Sequence, residues 1–129
     1  MSQEGRELVF VYGTLKRGGS NHAYLIGQKF IGPAQTIAGY RLISLGDYPG
    51  IISDQTRTTG VTGEVWSVDD CCLRQLDELE GLPEGLYRRE AVPLSPPFNE
   101  DVVLTYIYAR DVSGRAPIPE GVWREPHAK

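Results

Sequence analysis

The side chain of Glu80 combines a reactive group with an unusual position. Apolar periodicity predicts a helix over residues 70–80, which Gly81 ends. At 100° per residue, Glu80 falls about 40° from Leu76 and inside the apolar stripe, whereas Glu78 falls on the opposite face. A carboxylate directed at the core is poorly solvated and also meets the negative end of the helix dipole, so its pKa should rise. Such a group suits general acid–base catalysis near neutral pH.

An ordinary structural interpretation of the same helix stays open. Helix ends fray, and Glu80 would then lie at the surface beside Gly81. Asp77 falls near the edge of the apolar stripe, where it can cap the helix or form an ion pair. Asp69 or Asp70 is expected to begin the helix, because aspartate is a favoured N-cap residue.

A second candidate for chemistry is the turn that follows the first apolar run. Leu8–Tyr12 is expected to form a buried strand, and Gly13 breaks it. Successive backbone N–H groups in such a turn can bind an anion, and Gly13 lets the main chain approach a ligand closely. Lys16 and Arg17 would add positive charge if they point the same way. The alternative is a plain strand-to-turn transition with two solvated basic side chains.

Motifs for several other chemistries are absent from the sequence. There is neither a GxGxxG dinucleotide fingerprint nor a phosphate-binding GxxxxGK loop. Cys71 and Cys72 are adjacent; they are interpreted as core fillers on the helix, with a redox pair as the alternative. His22 and His127 fit no zinc spacing, so no metal site is expected. His22 either starts a short helix or contacts a substrate.

Composition narrows the class of protein. The chain has 129 residues, 40% hydrophobic and 23% charged, which is typical of one globular domain. Thirteen basic against seventeen acidic residues give a net charge of −4, which disfavours nucleic-acid and anionic-membrane partners. No apolar run approaches the length of a membrane span, and no secretory signal is evident. A reducing, cytoplasmic location is expected from the cysteine pattern.

The elements that must position these residues are short and separated by turns. The expected order is β-α-β-β-β-α-β-β, a mixed α/β (α+β) domain with a curled or closed sheet. A short helix is expected to run from Ser20 or Asn21 to about Gln28. The other expected strands are Phe30–Ile37, Gly39–Ser44, Val61–Val68, Tyr87–Leu94 and Val102–Tyr108. Residues 1–111 are predicted to form the domain and residues 112–129 a Pro-rich tail, which Trp123 could pin.

Several of these segments together resemble the gamma-glutamylcyclotransferase family, and within it the gamma-glutamylamine cyclotransferases. The resemblance covers roughly residues 8–110 and rests on two blocks, a strand ending in Tyr-Gly-Thr-Leu and a later Leu-Asp-x-x-Glu. The segments that carry it are Val9–Gly18, Asn21-His22, Tyr48-Pro49, Gly63–Val65, Leu76–Glu80 and Leu86-Tyr87. Either block alone would be a weak signal, whereas the pair is fairly specific.

The resemblance implies a fold and a reaction. The fold would be a small barrel-like mixed sheet with two or more flanking helices. The reaction would turn a small gamma-glutamyl amide or amine into 5-oxoproline and a free amine, without metal or cofactor. The catalytic acid/base of the family falls on Glu80, and its substrate-binding loop falls on Tyr12, Gly13, Thr14 and Leu15.

The expected mechanism is intramolecular aminolysis, in which one glutamate takes a proton and returns it. Tyr12, Tyr48 and Tyr87 could contact the substrate or simply pack, as aromatic residues commonly do. Tyr87 is the best substrate-binding candidate of the three, because it follows the Glu80 loop closely in sequence. A noncatalytic member of the same fold, binding a small metabolite or a protein, is the alternative. The leaving amine and the oligomeric state stay open.

Overall fold

The structure is a computed structural model that describes residues 5–124. The bounds of its elements are β1 Arg6–Val11, a 3-10 turn His22–Leu25, β2 Lys29–Gln35, β3 Tyr40–Ser44, β4 Pro49–Ser53, β5 Thr62–Asp69, α1 Asp70–Leu79, β6 Tyr87–Ala91 and β7 Val103–Tyr108. No helix in this part of the chain is long and apolar enough to cross a bilayer.

All seven strands belong to one mixed sheet. The strand order is β2-β5-β1-β7-β4-β3, and β6 pairs with β7 outside this path. At the centre, β1 runs antiparallel to β5 and parallel to β7. β4 also runs parallel to β7 and forms an antiparallel pair with β3. The mixed α/β class is confirmed, but the sheet is open, since the described strands begin at β2 and end at β3 without joining.

The expectation of two or more flanking helices is wrong for residues 5–124, where α1 is the only α-helix. Within residues 20–28 the structure has only the 3-10 turn His22–Leu25 instead of the predicted helix. The Asn21 side chain makes no capping bond; its amide nitrogen donates to the Thr14 hydroxyl at 3.0 Å. Without a cap, and with Gly27 at a φ of 85°, the segment ends after one turn.

Strand β4 was missed by the sequence analysis because it begins with turn residues. Pro49 and Gly50 open the strand, and Ile51 then pairs with Ile107 of β7. A Cβ on Gly50 would lie 2.9 Å from the Cβ of Tyr108, so this close pairing requires glycine. The pairing joins distant segments, which no local pattern can indicate.

The sheet is buried on both faces near β1. Val9 and Val11 pack in one cluster with Leu76 of α1. Phe10 packs on the other face in a cluster that contains Trp123. Because side chains alternate along a strand, this two-sided burial explains why the β1 sequence is continuously apolar. It also gives the turn after β1 a fixed starting point.

Residues 112–124 lie against the sheet. The Ile118 N–H donates to the Leu42 carbonyl at 2.8 Å, and Trp123 is buried. The predicted boundary between a domain and this tail stays a prediction, and residues 125–129 lie outside the described part of the chain.

Candidate active site

Helix α1 begins at an aspartate, as predicted. The Asp69 carboxylate accepts a 2.8 Å hydrogen bond from the Cys72 N–H and caps the helix. Leu76 is fully buried and Glu78 is exposed, which confirms the predicted apolar and polar faces. The helix therefore packs on the sheet in the orientation that its periodicity indicates.

The end of α1 fixes the backbone of Glu80. The N–H groups of Leu82 and Gly81 donate to the carbonyls of Asp77 and Glu78, respectively, each at 3.1 Å. These paired bonds form a Schellman motif. Gly81 has a φ of 71°, a conformation that favours glycine. The helix is therefore closed by hydrogen bonds at this end, and Glu80 does not stand on a frayed terminus.

Glu80 lines a cavity of about 250 Å³ beside the turn that follows β1. The cavity also contains the other five predicted site residues, Tyr12, Gly13, Thr14, Leu15 and Tyr87. The remaining lining residues are Phe10, Val11, Asn21, Tyr48, Pro49, Leu79, Leu86 and Tyr106. The fold thus brings all six predicted residues to one place, while their roles stay predictions.

Burial dominates the electrostatics of Glu80. It raises the pKa of the Glu80 carboxyl from 4.5 to about 7. The side chain is only partly accessible, and it lines the cavity. At neutral pH both protonation states are therefore populated, so this carboxyl can take up a proton and give it back.

The turn after β1, whose residues line the cavity, contains unpaired donors. Among residues 5–124, the N–H groups of Gly13, Thr14 and Leu15 donate to no protein acceptor. Thr14 and Leu15 are buried, and a buried N–H without a partner is costly. An anionic ligand group bound here would satisfy these donors.

Glycine is required at position 13 for a structural reason that was not predicted from the sequence. A Cβ on Gly13 would lie 2.7 Å from the Cγ of Pro49. The close approach that requires glycine is therefore to the Pro49 ring, which itself lines the cavity. Any larger side chain would separate the turn from β4.

The basic residues of the turn do not line the cavity. The Lys16 ammonium donates to the Trp123 carbonyl at 2.9 Å. The Arg17 guanidinium pairs with Glu64 at 3.1 Å and lies 3.9 Å from the centre of the Phe30 ring. Both side chains have partners away from the cavity, so they do not act there as the predicted anion attractors.

Three of the tyrosines that line the cavity donate their hydroxyl protons to acceptors of the protein itself. Tyr12 donates to the Tyr106 carbonyl at 2.6 Å, and Tyr87 donates to the Pro49 carbonyl at 2.6 Å. Tyr106 donates to the Asp77 carboxylate at 2.8 Å. Burial raises the pKa of Tyr12 and Tyr87, and the charge of Glu80 adds to this effect at both. These hydroxyls therefore stay protonated and have no proton to donate to a ligand, and the Tyr12 oxygen also accepts the Ile51 N–H at 3.2 Å.

Tyr106 extends the cavity lining beyond the predicted residues, and Asp77 accepts its hydroxyl proton from outside the cavity. Asp77 pairs with Arg89 and accepts the Tyr106 hydroxyl, so its predicted pairing at the helix boundary is confirmed. Tyr106 was not predicted as a site residue. The inward-facing alternation of β7 was the available signal, but it did not show which cavity that face would meet.

The remaining candidate groups lie away from the cavity. The ring Nδ1 of His22 lies 3.1 Å from the Leu15 carbonyl oxygen, and the imidazole packs on Trp66. Cys72 is buried as predicted, but Cys71 is exposed and is not a core filler. Within residues 5–124 no three His, Cys, Asp or Glu side chains are grouped as metal ligands. His127 lies outside the described residues.

The open mixed sheet thus carries a cavity lined by one carboxylate and by the turn with three unpaired N–H groups. Comparison with protein families matches residues 9–125 to the family described as gamma-glutamyl cyclotransferase, AIG2-like. The chain belongs to this family, which confirms the resemblance drawn from its motifs.

Individual relatives agree with this assignment. A Vibrio cholerae protein named "Putative gamma-glutamylcyclotransferase" is 40% identical over 118 residues, which cover 92% of this chain and 96% of that protein. Gamma-glutamylaminecyclotransferase of Rattus norvegicus is 36% identical over 91 residues, 65% of this chain and 60% of the rat protein. The crystal structure of an AIG2-like protein from Mus musculus has a TM-score of 0.71 and 26% identity, covering 98% of this chain and 99% of the mouse chain.

Proposed function

We propose that this protein cyclises small gamma-glutamyl amines or amides to 5-oxoproline and a free amine, with Glu80 as the acid/base. One observation carries the proposal: the Glu80 carboxyl shares a cavity with the turn whose N–H groups are unpaired. Burial in this cavity raises the pKa of Glu80 to about 7. Membership of the family supports a gamma-glutamyl substrate.

The polar groups of the cavity complement the two charges on the substrate α-carbon. The N–H groups of Gly13, Thr14 and Leu15 can only donate, which suits a carboxylate or a developing oxyanion. The hydroxyls of Tyr87 and Tyr106 give their protons to protein acceptors and retain lone pairs. Together with Glu80 these two hydroxyls suit the substrate ammonium group.

The proposed reaction needs no enzyme nucleophile, because the attacking amine belongs to the substrate. Glu80 removes one proton from the α-ammonium, and the amine nitrogen then attacks the γ-carbonyl carbon to form the ring C–N bond. Negative charge develops on the carbonyl oxygen, where the turn N–H groups can stabilise it.

Collapse of the intermediate completes the proton balance. Glu80 returns its proton to the leaving nitrogen as the C–N bond to that nitrogen breaks. The ring nitrogen then gives its extra proton to the same carboxylate, and the released amine takes up that proton. The protein holds the substrate in a bent conformation and shuttles the proton. The substrate itself supplies the nucleophile, because its amino group is covalently linked to the γ-carbonyl.

The test compares two glutamates of one helix. Glu80→Gln should retain the fold and lower the rate of 5-oxoproline release by about 10²- to 10⁴-fold, the usual contribution of a general acid/base. Glu78→Gln is the matched control, because Glu78 is exposed on the opposite face. Both variants should be assayed on a panel of gamma-glutamyl amides, with circular dichroism to verify folding.

Two outcomes would contradict the proposal. A folded Glu80→Gln variant that turns over substrate at the wild-type rate would exclude Glu80 as the acid/base. A wild-type protein that binds gamma-glutamyl compounds in calorimetry but releases no 5-oxoproline from any of them would support the noncatalytic alternative.

A further inference from the structure

A buried carboxylate outside the cavity has no place in the proposed reaction. Glu64 lies on β5, opposite Val11 at the end of β1, and only 9% of its surface is exposed. It does not line the cavity. Burying a charged carboxylate is unfavourable unless several donors compensate it, so its partners indicate what it holds.

The partners of Glu64 reach the turn that carries the unpaired donors. One carboxylate oxygen accepts the backbone N–H of Arg17 and the indole N–H of Trp66, each at 3.1 Å. The other accepts the Arg17 guanidinium at 3.1 Å. These hydrogen bonds lower the pKa of Glu64 against the opposing effect of burial, so the group is ionised at neutral pH.

A second connection runs from β5 to the same turn. The Trp66 ring packs edge-on against His22, with 5.3 Å between ring centres. The Nδ1 atom of His22 in turn lies 3.1 Å from the Leu15 carbonyl oxygen. β5 therefore holds the turn at Arg17 through Glu64 and at Leu15 through Trp66 and His22.

We infer that Glu64 is a positioning residue, which fixes the direction of the Gly13–Leu15 N–H groups by holding the backbone at Arg17. The inference rests on the proposed function for its kinetic consequence only. The backbone contact is the decisive one, because the Arg17 side chain is 55% exposed and such an ion pair contributes little by itself.

Three variants separate the backbone contact from the ion pair. Glu64→Ala removes both, and KM should rise about 10- to 100-fold, as expected when a charged hydrogen bond that orders a binding loop is lost. Glu64→Gln keeps an acceptor for the Arg17 N–H, and its KM should stay within about threefold of wild type. Arg17→Ala removes only the guanidinium, and its KM should also stay within about threefold.

A purely structural role would give a different pattern. Val61→Ala, in a buried position away from the cavity, serves as a variant of lowered stability. Lost stability alone lowers the amount of active enzyme and leaves KM unchanged. In Glu64→Ala, KM should rise while the pH dependence of kcat, which reports Glu80, stays where it is in wild type.

Amide NMR of the ligand-free protein gives a readout that needs no turnover. In Glu64→Ala the N–H signals of Gly13, Thr14 and Leu15 should shift and the Arg17 N–H should exchange faster, whereas Glu64→Gln should preserve both.

Unchanged signals and KM in a folded Glu64→Ala variant would overturn the inference. Equal KM effects in Arg17→Ala and Glu64→Ala would also overturn it. If Glu64→Ala does not fold, the inference would be overturned by a rise in KM well above threefold in Glu64→Gln. Absence of turnover in wild type would refute the proposed function alone, and the NMR comparison would still decide this inference.

Discussion

The hydroxyl of Tyr12 joins two strands by donating a 2.6 Å hydrogen bond to the backbone carbonyl of Tyr106 on β7. The same oxygen accepts the Ile51 N–H of β4 at 3.2 Å. One buried phenol therefore satisfies two backbone groups at the floor of the cavity. Its role in the protein is structural whatever it contributes to substrate binding.

Tyr12→Phe should therefore lower stability. The substitution removes both hydrogen bonds of a buried hydroxyl, and the free energy of unfolding should fall by about 1 to 3 kcal/mol. Urea unfolding measures this change. Tyr24→Phe is a suitable control, because Tyr24 is 40% exposed. Equal stability of the two variants would show that the Tyr12 hydroxyl bonds are unimportant.

Activity should depend on pH through Glu80. The proposed base form is the carboxylate, and burial raises its pKa to about 7. Below that pH, kcat/KM should fall about tenfold per pH unit, because the carboxyl of the free enzyme is already protonated. A pH–rate profile measures the midpoint. A profile of kcat/KM that stays flat from pH 5 to 8 would contradict the assigned base.

Stability should depend on pH through the same group, with a definite sign. Since the folded-state pKa of Glu80 is raised from 4.5 to about 7, the folded protein binds more protons than the unfolded chain between these values. Its stability contribution is therefore full below pH 4.5 and is lost as pH rises through about 7.

Glu80→Gln should remove this dependence. At pH 8 the variant should exceed wild type in free energy of unfolding by on the order of 2 to 3 kcal/mol, and the difference should shrink towards pH 4.5. Chemical denaturation at both pH values makes the comparison, with Glu78→Gln as the control. A wild type as stable as Glu80→Gln at pH 8 would indicate that burial does not penalise the carboxylate.

Gly13→Ala should displace the turn from β4. The added methyl group would lie 2.7 Å from the Pro49 ring, so one of the two segments must move. We expect a loss of about 1 to 3 kcal/mol in stability and a higher KM, because the N–H groups move with the turn. Gly32→Ala is the control, since its methyl group would make an ordinary 3.5 Å contact with Phe98. Identical KM values for the two variants would contradict this expectation.

Trp123→Ala should show that the segment after residue 111 contributes to the core. Trp123 is 6% exposed and packs in the cluster that contains Phe10. Loss of this side chain should lower the free energy of unfolding by about 3 to 5 kcal/mol. Thermal unfolding measures the effect against Val102→Ala, whose parent side chain is 73% exposed. A melting temperature like that of the control would mean that the tryptophan is dispensable.

The site was more predictable than the sheet because its main group lies on a helix. Helical geometry relates neighbouring residues by a fixed angle, so the apolar stripe placed Glu80 without knowledge of any other element. The stop signal at Gly81 is equally local, since a positive φ favours glycine. The Tyr-Gly-Thr-Leu turn was identified by resemblance, and physical reasoning alone left its role open.

The missed features depend on contacts between distant segments. β4 starts with Pro49, and its pairing with β7 is established by residues more than fifty positions away, such as Ile107. The first helix was overestimated because Asn21 serves the turn at Thr14 instead of capping. Tyr106 became part of the site through its strand's place in the sheet, which the sequence does not reveal.

The Schellman motif at the end of α1 has a consequence for how chains of this kind can diverge. A single residue inserted between Asp70 and Leu79 would rotate everything beyond it by about 100° and carry the carboxylate out of the cavity. None of residues 92–102 lines the cavity, and residues 99–102 are exposed, so insertions at 99–102 should leave it intact. Among functional homologues, length variation should accumulate in the connection between β6 and β7, whereas α1 should keep its ten residues.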